Sequence, residues 1–264
     1  MLIKVDGLSC GYDKKEVLSN LSFEIGEGEL WCVLGSNGIG KSTLFKTLLG
    51  LLKPIRGEIL IKDKPLPEWS RKELAKVIAY VPQSHTPPFP FKVREIVAMG
   101  RHPYQGQTGY MTDEDISRVE EAMEMTGITD LAERPYTRIS GGERQLALIA
   151  RAVAQSTDVM ILDEPVSNLD FGNHAKVISY IREFAGMGKT IIMTTHDPDH
   201  AFIPGSHALL LDEGAVFASG MGRDILTEPA VTRMYHVKNK IVRYGEPEGR
   251  TCVPLYEGRN KSDQ

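Results

Sequence analysis

The stretch "GSNGIGKST", residues 35 to 43, places Gly35, Gly40, Lys41 and Ser42 in the spacing G-x-x-x-x-G-K-[ST]. Glycines at such a loop let backbone N–H groups turn inward around phosphate oxygens. Lys41 is placed to reach the β and γ phosphates of a nucleotide, and the Ser42 hydroxyl to ligate Mg²⁺. Such a loop needs a second acidic ligand for the ion. The run "VMILDEP" supplies it in Asp163, followed by Glu164, whose carboxylate at a strand end can polarise an attacking water. A third stretch, "RISGGERQLALIARAVAQ", opens with Ser140 in the position of a helix N-cap and two glycines that admit close backbone approach. It is a second anion-binding helix terminus in one chain. A second phosphate reader makes sense if it closes over a nucleotide held by another copy of the chain.

These residues need elements to hold them. "GELWCVLG" is a continuous apolar run of strand length just before the phosphate loop, the pattern of a strand covered on both faces. "KSTLFKTLLG" after it puts Leu44, Phe45, Leu48 and Leu49 on one helical face, with Gly50 as the stop and Pro54 beyond. Ahead of the loop, "LIKV" and "VLSNLSFEI" alternate as half-buried antiparallel strands do, and "GEILIKDK" reads as another short strand. From about Val93 to Ser156 the pattern is mainly helical, with a capping box expected at Thr112 and Asp115 and a stop at Gly127. "PPFPF", 87 to 91, reads as a stiff joint into this region. "VMIL" and "TIIMTT" then flank a helix over roughly 172 to 186, a βαβ pattern in a mostly parallel sheet. "HALLLDEGAVFASG" predicts a hairpin turning at Glu213-Gly214, and the tail "GRNKSDQ" is expected to fray. The fold class is therefore α/β.

Composition narrows the function classes. The 264 residues, 41% hydrophobic and 25% charged, suffice for one large α/β domain. A net charge of −4 gives no bulk attraction to nucleic acid, so none is expected as a partner. Cys10, Cys32 and Cys252 form no CxxC pair, which favours a reducing compartment. The N-terminus lacks the pattern of a signal peptide, and no apolar run approaches 18 residues, so membrane association is expected only through a partner.

Taken in order and spacing, "GSNGIGKST", "ISGGERQ", "VMILDEP", "SNLD" and "TTHD" resemble the ATP-binding subunits of ATP-binding-cassette (ABC) proteins over about residues 1 to 240. The resemblance implies a phosphate-loop ATPase fold: a mixed sheet core, an N-terminal antiparallel β subdomain and a helical subdomain. Residues 1–86 and 157–240 would form the core, 87–156 the helical subdomain and 241–264 a C-terminal extension. It implies ATP and Mg²⁺ as ligands, and a head-to-tail dimer in which Ser140, Gly141, Gly142 and Glu143 face the ATP of the opposite copy. Tyr12 would stack on adenine, while Gly35, Ser36, Asn37, Gly38, Ile39, Gly40, Lys41, Ser42 and Thr43 wrap the phosphates. Ser42, Gln83 (in "YVPQ") and Asp163 would serve the ion. Glu164, Lys41, Gln83 and His196 would carry the hydrolysis, and the loop Ser167 to Asp170 would communicate across the dimer. His196 and His200 have HxxxH spacing, but Pro198 is expected to start a new helix between them and no third ligand is evident, so a zinc site is not expected.

The chain departs from the family pattern at Ile139 (usually Leu), Glu143 (often Gln) and Val166 (commonly Thr). None removes a group needed for hydrolysis. The segment "SHTPPFPFKVREIVAMGRHPYQG" is similar to that of importers for iron–siderophore, cobalamin, haem and related metal chelates, with "GRHPY" the most telling part. That implies integral membrane permease subunits as partners, an extracytoplasmic substrate-binding protein acting indirectly, and a place on the cytoplasmic side of the cell membrane. A molybdate or tungstate importer, or a soluble ABC ATPase of the iron–sulfur assembly type, shares the same ATP-site motifs. An unrelated GTPase or kinase is disfavoured by "SGGE", and a DNA-repair ATPase by the lack of a long coiled-coil insertion or any basic surplus.

Overall fold

Alternating apolar residues lay down the first strands of the computed structural model, which describes residues 1–83, 89–106, 109–245 and 248–256. β1 (Ile3–Tyr12) and β2 (Lys15–Ile25) pair antiparallel through a two-residue turn, Asp13 and Lys14, both at positive φ. β3 (Leu30–Leu34) is buried along its whole length and runs into α1 (Lys41–Leu48). β4 (Arg56–Ile61), β5 (Lys64–Pro65), the short α2 (Arg71–Leu74) and β6 (Ile78–Val81) follow. Three helices form the middle: α3 (Val93–Ala98), α4 (Asp113–Met125) and α5 (Gly141–Ala154). The chain continues through β7 (Val159–Leu162), α6 (Phe171–Gly186), β8 (Thr190–Thr195), β9 (Ser206–Asp212) and β10 (Ala215–Met221). It closes with α7 (Gly222–Ile225), α8 (Glu228–Tyr235) and a hairpin of β11 (Asn239–Tyr244) and β12 (Gly249–Pro254). Pro87 and Pro88 of the expected proline-rich joint and all of the "GRNKSDQ" tail lie outside the described residues.

The main sheet has the order β10-β9-β3-β8-β7-β6, parallel except for β10. A four-stranded antiparallel sheet, β2-β1-β4-β5, packs on one side. The pleat of β3 decides what each side sees. Leu30, Cys32 and Leu34 point into a core shared with the helices α3 to α6, whereas Trp31 and Val33 point into a core shared with α1 and the antiparallel sheet. The full burial of β3 follows from having partners on both faces, as its unbroken apolar run predicts.

Register places the chemistry. Leu34 pairs with Thr195, Val81 with Leu162, and Leu162 with Met193. The residues that follow these pairs therefore emerge together at the carboxyl edge of the parallel strands, where α/β sheets form their ligand crevices. They are the phosphate loop after β3, Gln83 after β6, Asp163 and Glu164 after β7, and His196 after β8.

The helical region is tied together by an internal ion pair. Arg101 Nε donates to Asp115 Oδ1 at 2.8 Å, with both side chains about 5% exposed, and Arg101 Nη1 donates to the Ala154 carbonyl at 2.9 Å. Asp115 also closes the expected capping box with Thr112 at the head of α4. The "GRHPY" segment thus joins α4 to the end of α5, with Tyr104 stacked 4.0 Å from the Arg101 guanidinium.

Candidate active site

The phosphate loop is held open by close packing. Gly40 caps α1 at φ 115°, and a Cβ there would lie 2.8 Å from the side chains of Val17 and Leu18. Only glycine fits both the backbone angle and the approach of β2. The first turn of α1 carries no acidic residue, so its N-terminal dipole is uncompensated by the chain. A cavity of about 300 Å³ opens above it, lined by Tyr12, Val17, Gly38, Gly40, Lys41, Ser42, Thr43 and Glu164. Tyr12 is 44% exposed at its rim, with Lys46 Nζ 5.8 Å from its ring centre.

Lys41 is buried, and its Nζ donates to the carbonyls of Gly35 at 2.7 Å and Ser36 at 3.1 Å. Burial lowers its pKa, an effect opposed by the carboxylates of Glu164 and Asp163. The result is a cation held at the loop by two backbone carbonyls, with the Glu164 carboxylate 3.9 Å away.

Asp163 is buried at the end of β7, and its carboxylate is fixed from two sides. Thr194 Oγ1 donates to Oδ1 at 2.7 Å and Tyr80 OH to Oδ2 at 3.4 Å. Burial, with the charge of Asp163 adding, pushes the Tyr80 hydroxyl up to about 12, which keeps it a donor. Thr194 also accepts from the Glu164 N–H at 2.8 Å, holding Glu164 at φ 46°. One threonine therefore positions both acids. The quoted motif "TTHD" contains it, but its role follows only from β8 lying beside β7.

Three side chains converge on Glu164. Gln83 Nε2 donates to Oε2 at 2.9 Å, His196 Nδ1 lies 3.7 Å from Oε2, and Lys41 Nζ lies 3.9 Å from Oε1. His196 is about half exposed. Ser167 donates to the Glu164 carbonyl through both its N–H (3.1 Å) and its hydroxyl (3.0 Å), shaping the loop that ends at Asp170. Asp170 caps α6 by accepting from Asn173 N at 2.9 Å and Nδ2 at 2.6 Å, contacts that lower its pKa.

Ser140, Gly141, Gly142 and Glu143 do not line this cavity. They form the head of α5, exposed at Ser140 and Gly141 and buried at Gly142, where Glu143 N donates to Ser140 Oγ at 3.3 Å and Ser140 N to Glu143 Oε2 at 2.7 Å. The carboxylate is thus half of a capping box. A Cβ at Gly142 would lie 2.5 Å from Asn173, so a glycine there lets this helix head meet the head of α6.

His200 is not paired with His196 as its spacing invites. The segment Pro198–Phe202 forms a 3₁₀ turn that starts at Pro198, between the two histidines, as expected. The neighbour that His200 does meet comes from α6. His174 Nε2 lies 2.9 Å from His200 Nε2, with Asp197 beside them. Burial holds the His200 pKa well below the ordinary histidine value. Behind it, Asp199 accepts from Thr251 Oγ1 at 2.5 Å and Cys252 N at 2.7 Å, which docks the C-terminal hairpin onto this turn.

The oxygen donors near the loop suit a hard divalent cation. Ser42 offers a hydroxyl, Asp163 a fixed carboxylate and Gln83 an amide oxygen, the donor set that Mg²⁺ shares with phosphate and water.

Residues 18–167 match the family model of the ABC transporter. The chain is similar to an uncharacterized ABC transporter ATP-binding protein of Haemophilus influenzae, 40% identical over 244 residues that cover 92% of each chain. It is similar to the ferric enterobactin transport ATP-binding protein FepC of Escherichia coli, 35% identical across 97% of this chain and 94% of that one. Among solved structures, a metal-chelate type ABC transporter in an inward-facing conformation superposes with a TM-score of 0.85 at 33% identity, covering 97% of this chain and 98% of that chain. No helix among the described residues is long and apolar enough to cross a membrane.

Proposed function

This chain belongs to the ABC transporter family as an ATP-binding subunit, and from that premise we propose that it hydrolyses ATP to drive uptake of a metal chelate through a separate membrane permease. The chelate class is that of iron–siderophore complexes, cobalamin and haem, supported by the ferric enterobactin relative. The observation that carries the hydrolytic role is the convergence of Gln83, His196 and Lys41 on the Glu164 carboxylate at the mouth of the cavity.

The residues divide the work. Tyr12 stacks on adenine, and the backbone from Gly35 to Thr43, including Ser36, Asn37 and Ile39, wraps the phosphates at the head of α1. Lys41 swings from the Gly35 and Ser36 carbonyls to the β and γ phosphates, exchanging two hydrogen bonds for a charge contact. Ser42, Asp163 and Gln83 would hold Mg²⁺, which would supply positive charge to the phosphates. Glu164 takes the proton of the attacking water, and Gln83 and His196 keep its carboxylate aimed there. ATP and water yield ADP and phosphate.

ABC ATPases of importers dimerise and work with membrane permeases. In this chain the head of α5, with Ser140, Gly141, Gly142 and Glu143, reads the ATP held by the second copy, and Asp170 lies beside it through the Gly142–Asn173 approach. Residues 1–86 and 157–240 serve as the catalytic core, 87–156 as the helical subdomain and 241–264 as an extension. A groove of about 350 Å³ lined by Leu49, Leu74, Met99, Gly100 and Arg151 lies between core and helical region. It suits a short apolar permease helix on the cytoplasmic side of the membrane, with a substrate-binding protein on the other side.

Gentle extraction of the tagged chain from native membranes tests this. Recovery with a polytopic permease, two copies of each, and chelate uptake by the reconstituted complex only with hydrolysable ATP are expected. Recovery with soluble proteins alone overturns the transport reading and leaves the ATPase reading standing.

A further inference from the structure

Outside the ATP site, one cluster among the described residues has the chemistry of a ligand set. His174 on α6 and His200 on the 3₁₀ turn place their Nε2 atoms 2.9 Å apart, and Asp197 Oδ2 lies 3.7 Å from His200 Nε2. All three donor atoms lie within 4.8 Å of one another. We propose that His174, Asp197 and His200 form a binding site for a borderline divalent transition metal of the Zn²⁺ class.

Four observations support it. Ligands bonded at about 2.0–2.1 Å in a tetrahedral site stand about 3.3 Å from each other. The two separations from His200 Nε2 bracket that distance, and the third pair lies within 4.8 Å, so the three donors converge on a space of ion size. The imidazole planes are inclined at 73°, which lets both rings approach one ion without clashing. Each of two ligands is held from behind, as outer-shell partners hold metal ligands. His200 Nδ1 is 2.7 Å from Thr195 Oγ1, which directs the Nε2 lone pair toward the cluster. Asp197 Oδ1 accepts from Asp199 N at 2.9 Å, which leaves Oδ2 for the ion. Finally, His174 and Asp197 are only half buried, so an ion has a path in and a fourth position open to water.

Two imidazoles and one carboxylate favour Zn²⁺ or Co²⁺ over Mg²⁺, which takes oxygen ligands. An ion here bridges α6, whose cap is Asp170, to the segment that begins with His196. It joins two elements contiguous with the catalytic loop without occupying it.

The test is Co²⁺ and Zn²⁺ binding to the purified full chain, without nucleotide and with excess Mg²⁺ to fill the oxygen sites. One Co²⁺ per chain with the intense visible absorption of a four-coordinate site is expected, displaced by Zn²⁺. His174→Ala and Asp197→Asn should each weaken binding at least ten-fold, while His102→Gln leaves it unchanged. Zn²⁺ should raise the melting temperature of the wild type and not of His174→Ala. The half-exposed position of His174 keeps that variant folded, which circular dichroism checks. Absence of stoichiometric binding, or binding that His174→Ala leaves intact, overturns the site and makes the two rings a hydrogen-bonded pair. The assay reads metal alone, so its failure leaves the ATPase reading untouched.

Discussion

Gln83 donates a hydrogen bond from Nε2 to Glu164 Oε2 at 2.9 Å, joining the exit of β6 to the exit of β7 across the mouth of the cavity. The bond ties the carboxylate proposed as general base to the residue that leads into the helical region.

The first prediction concerns that carboxylate. Glu164→Gln keeps its size and removes its basicity. General-base help is typically worth ~10²–10⁴-fold, so steady-state phosphate release should fall by at least about 10²-fold. ATP affinity, measured by equilibrium binding, should change little or rise, since a negative charge near the phosphates is lost. Near-normal turnover would remove Glu164 from the mechanism.

A second prediction isolates Thr194. Thr194→Val preserves shape but leaves the buried Asp163 without its 2.7 Å donor and the Glu164 N–H without an acceptor. Losing hydrogen bonds to a buried charge costs about 2–3 kcal/mol, to be read as a lower urea midpoint with an unchanged slope. The Mg²⁺ concentration needed for half-maximal activity should rise at the same time. A stability loss with an unchanged Mg²⁺ requirement would confine Thr194 to the fold.

The contrast between Thr194 and the phosphate loop shows what a sequence carries. The loop is a local object: strand, glycines, lysine and helix are contiguous, and so are the Thr112–Asp115 capping box and the Glu213-Gly214 turn. Thr194 acts on residues 30 and 31 positions away, and His174 meets His200 across 26. Both contacts depend on which strand lies next to which and on the roll of α6 against the turn after β8. No periodicity in one segment encodes them. For the same reason the HxxxH spacing says nothing of where its rings go: they face different partners, Glu164 and His174. The buried Arg101 was likewise visible only as part of "GRHPY", with its partner Asp115 supplied by α4.

That pair gives a pH prediction. The backbone N–H of Thr112, with Arg101 and the Thr112 hydroxyl, lowers the Asp115 pKa below its ordinary 3.8. The unfolded chain then binds more protons in acid, so the contribution is complete above the unfolded value and lost as pH falls through the folded one. Asp115→Asn should remove part of the acid sensitivity of the melting temperature below about pH 4. At neutral pH it leaves Arg101 buried without its anion and should cost about 3 kcal/mol. Equal acid slopes in the two proteins would contradict the assignment.

The last prediction turns on Glu143, where the family often has Gln. The Ser140 N–H holds its carboxylate at 2.7 Å and lowers its pKa, so the residue is ionised at neutral pH. For α5 alone this is favourable, because an acid in the first turn complements the helix dipole. For a helix head proposed to approach the triphosphate of a second copy, the same charge is repulsive. Ser140 Oγ spends only a lone pair on the Glu143 N–H, so its hydroxyl proton is still free to meet a phosphate oxygen. Glu143→Gln can keep the capping box through its amide oxygen while discarding the charge. In a Glu164→Gln background, which prevents hydrolysis, it should change the melting temperature by only a degree or two. It should also lower the ATP concentration needed for dimerisation, seen by sedimentation, and reduce the dependence of that concentration on salt. Weaker dimerisation would mean that the carboxylate serves the interface through a cation on the partner copy and does not oppose it.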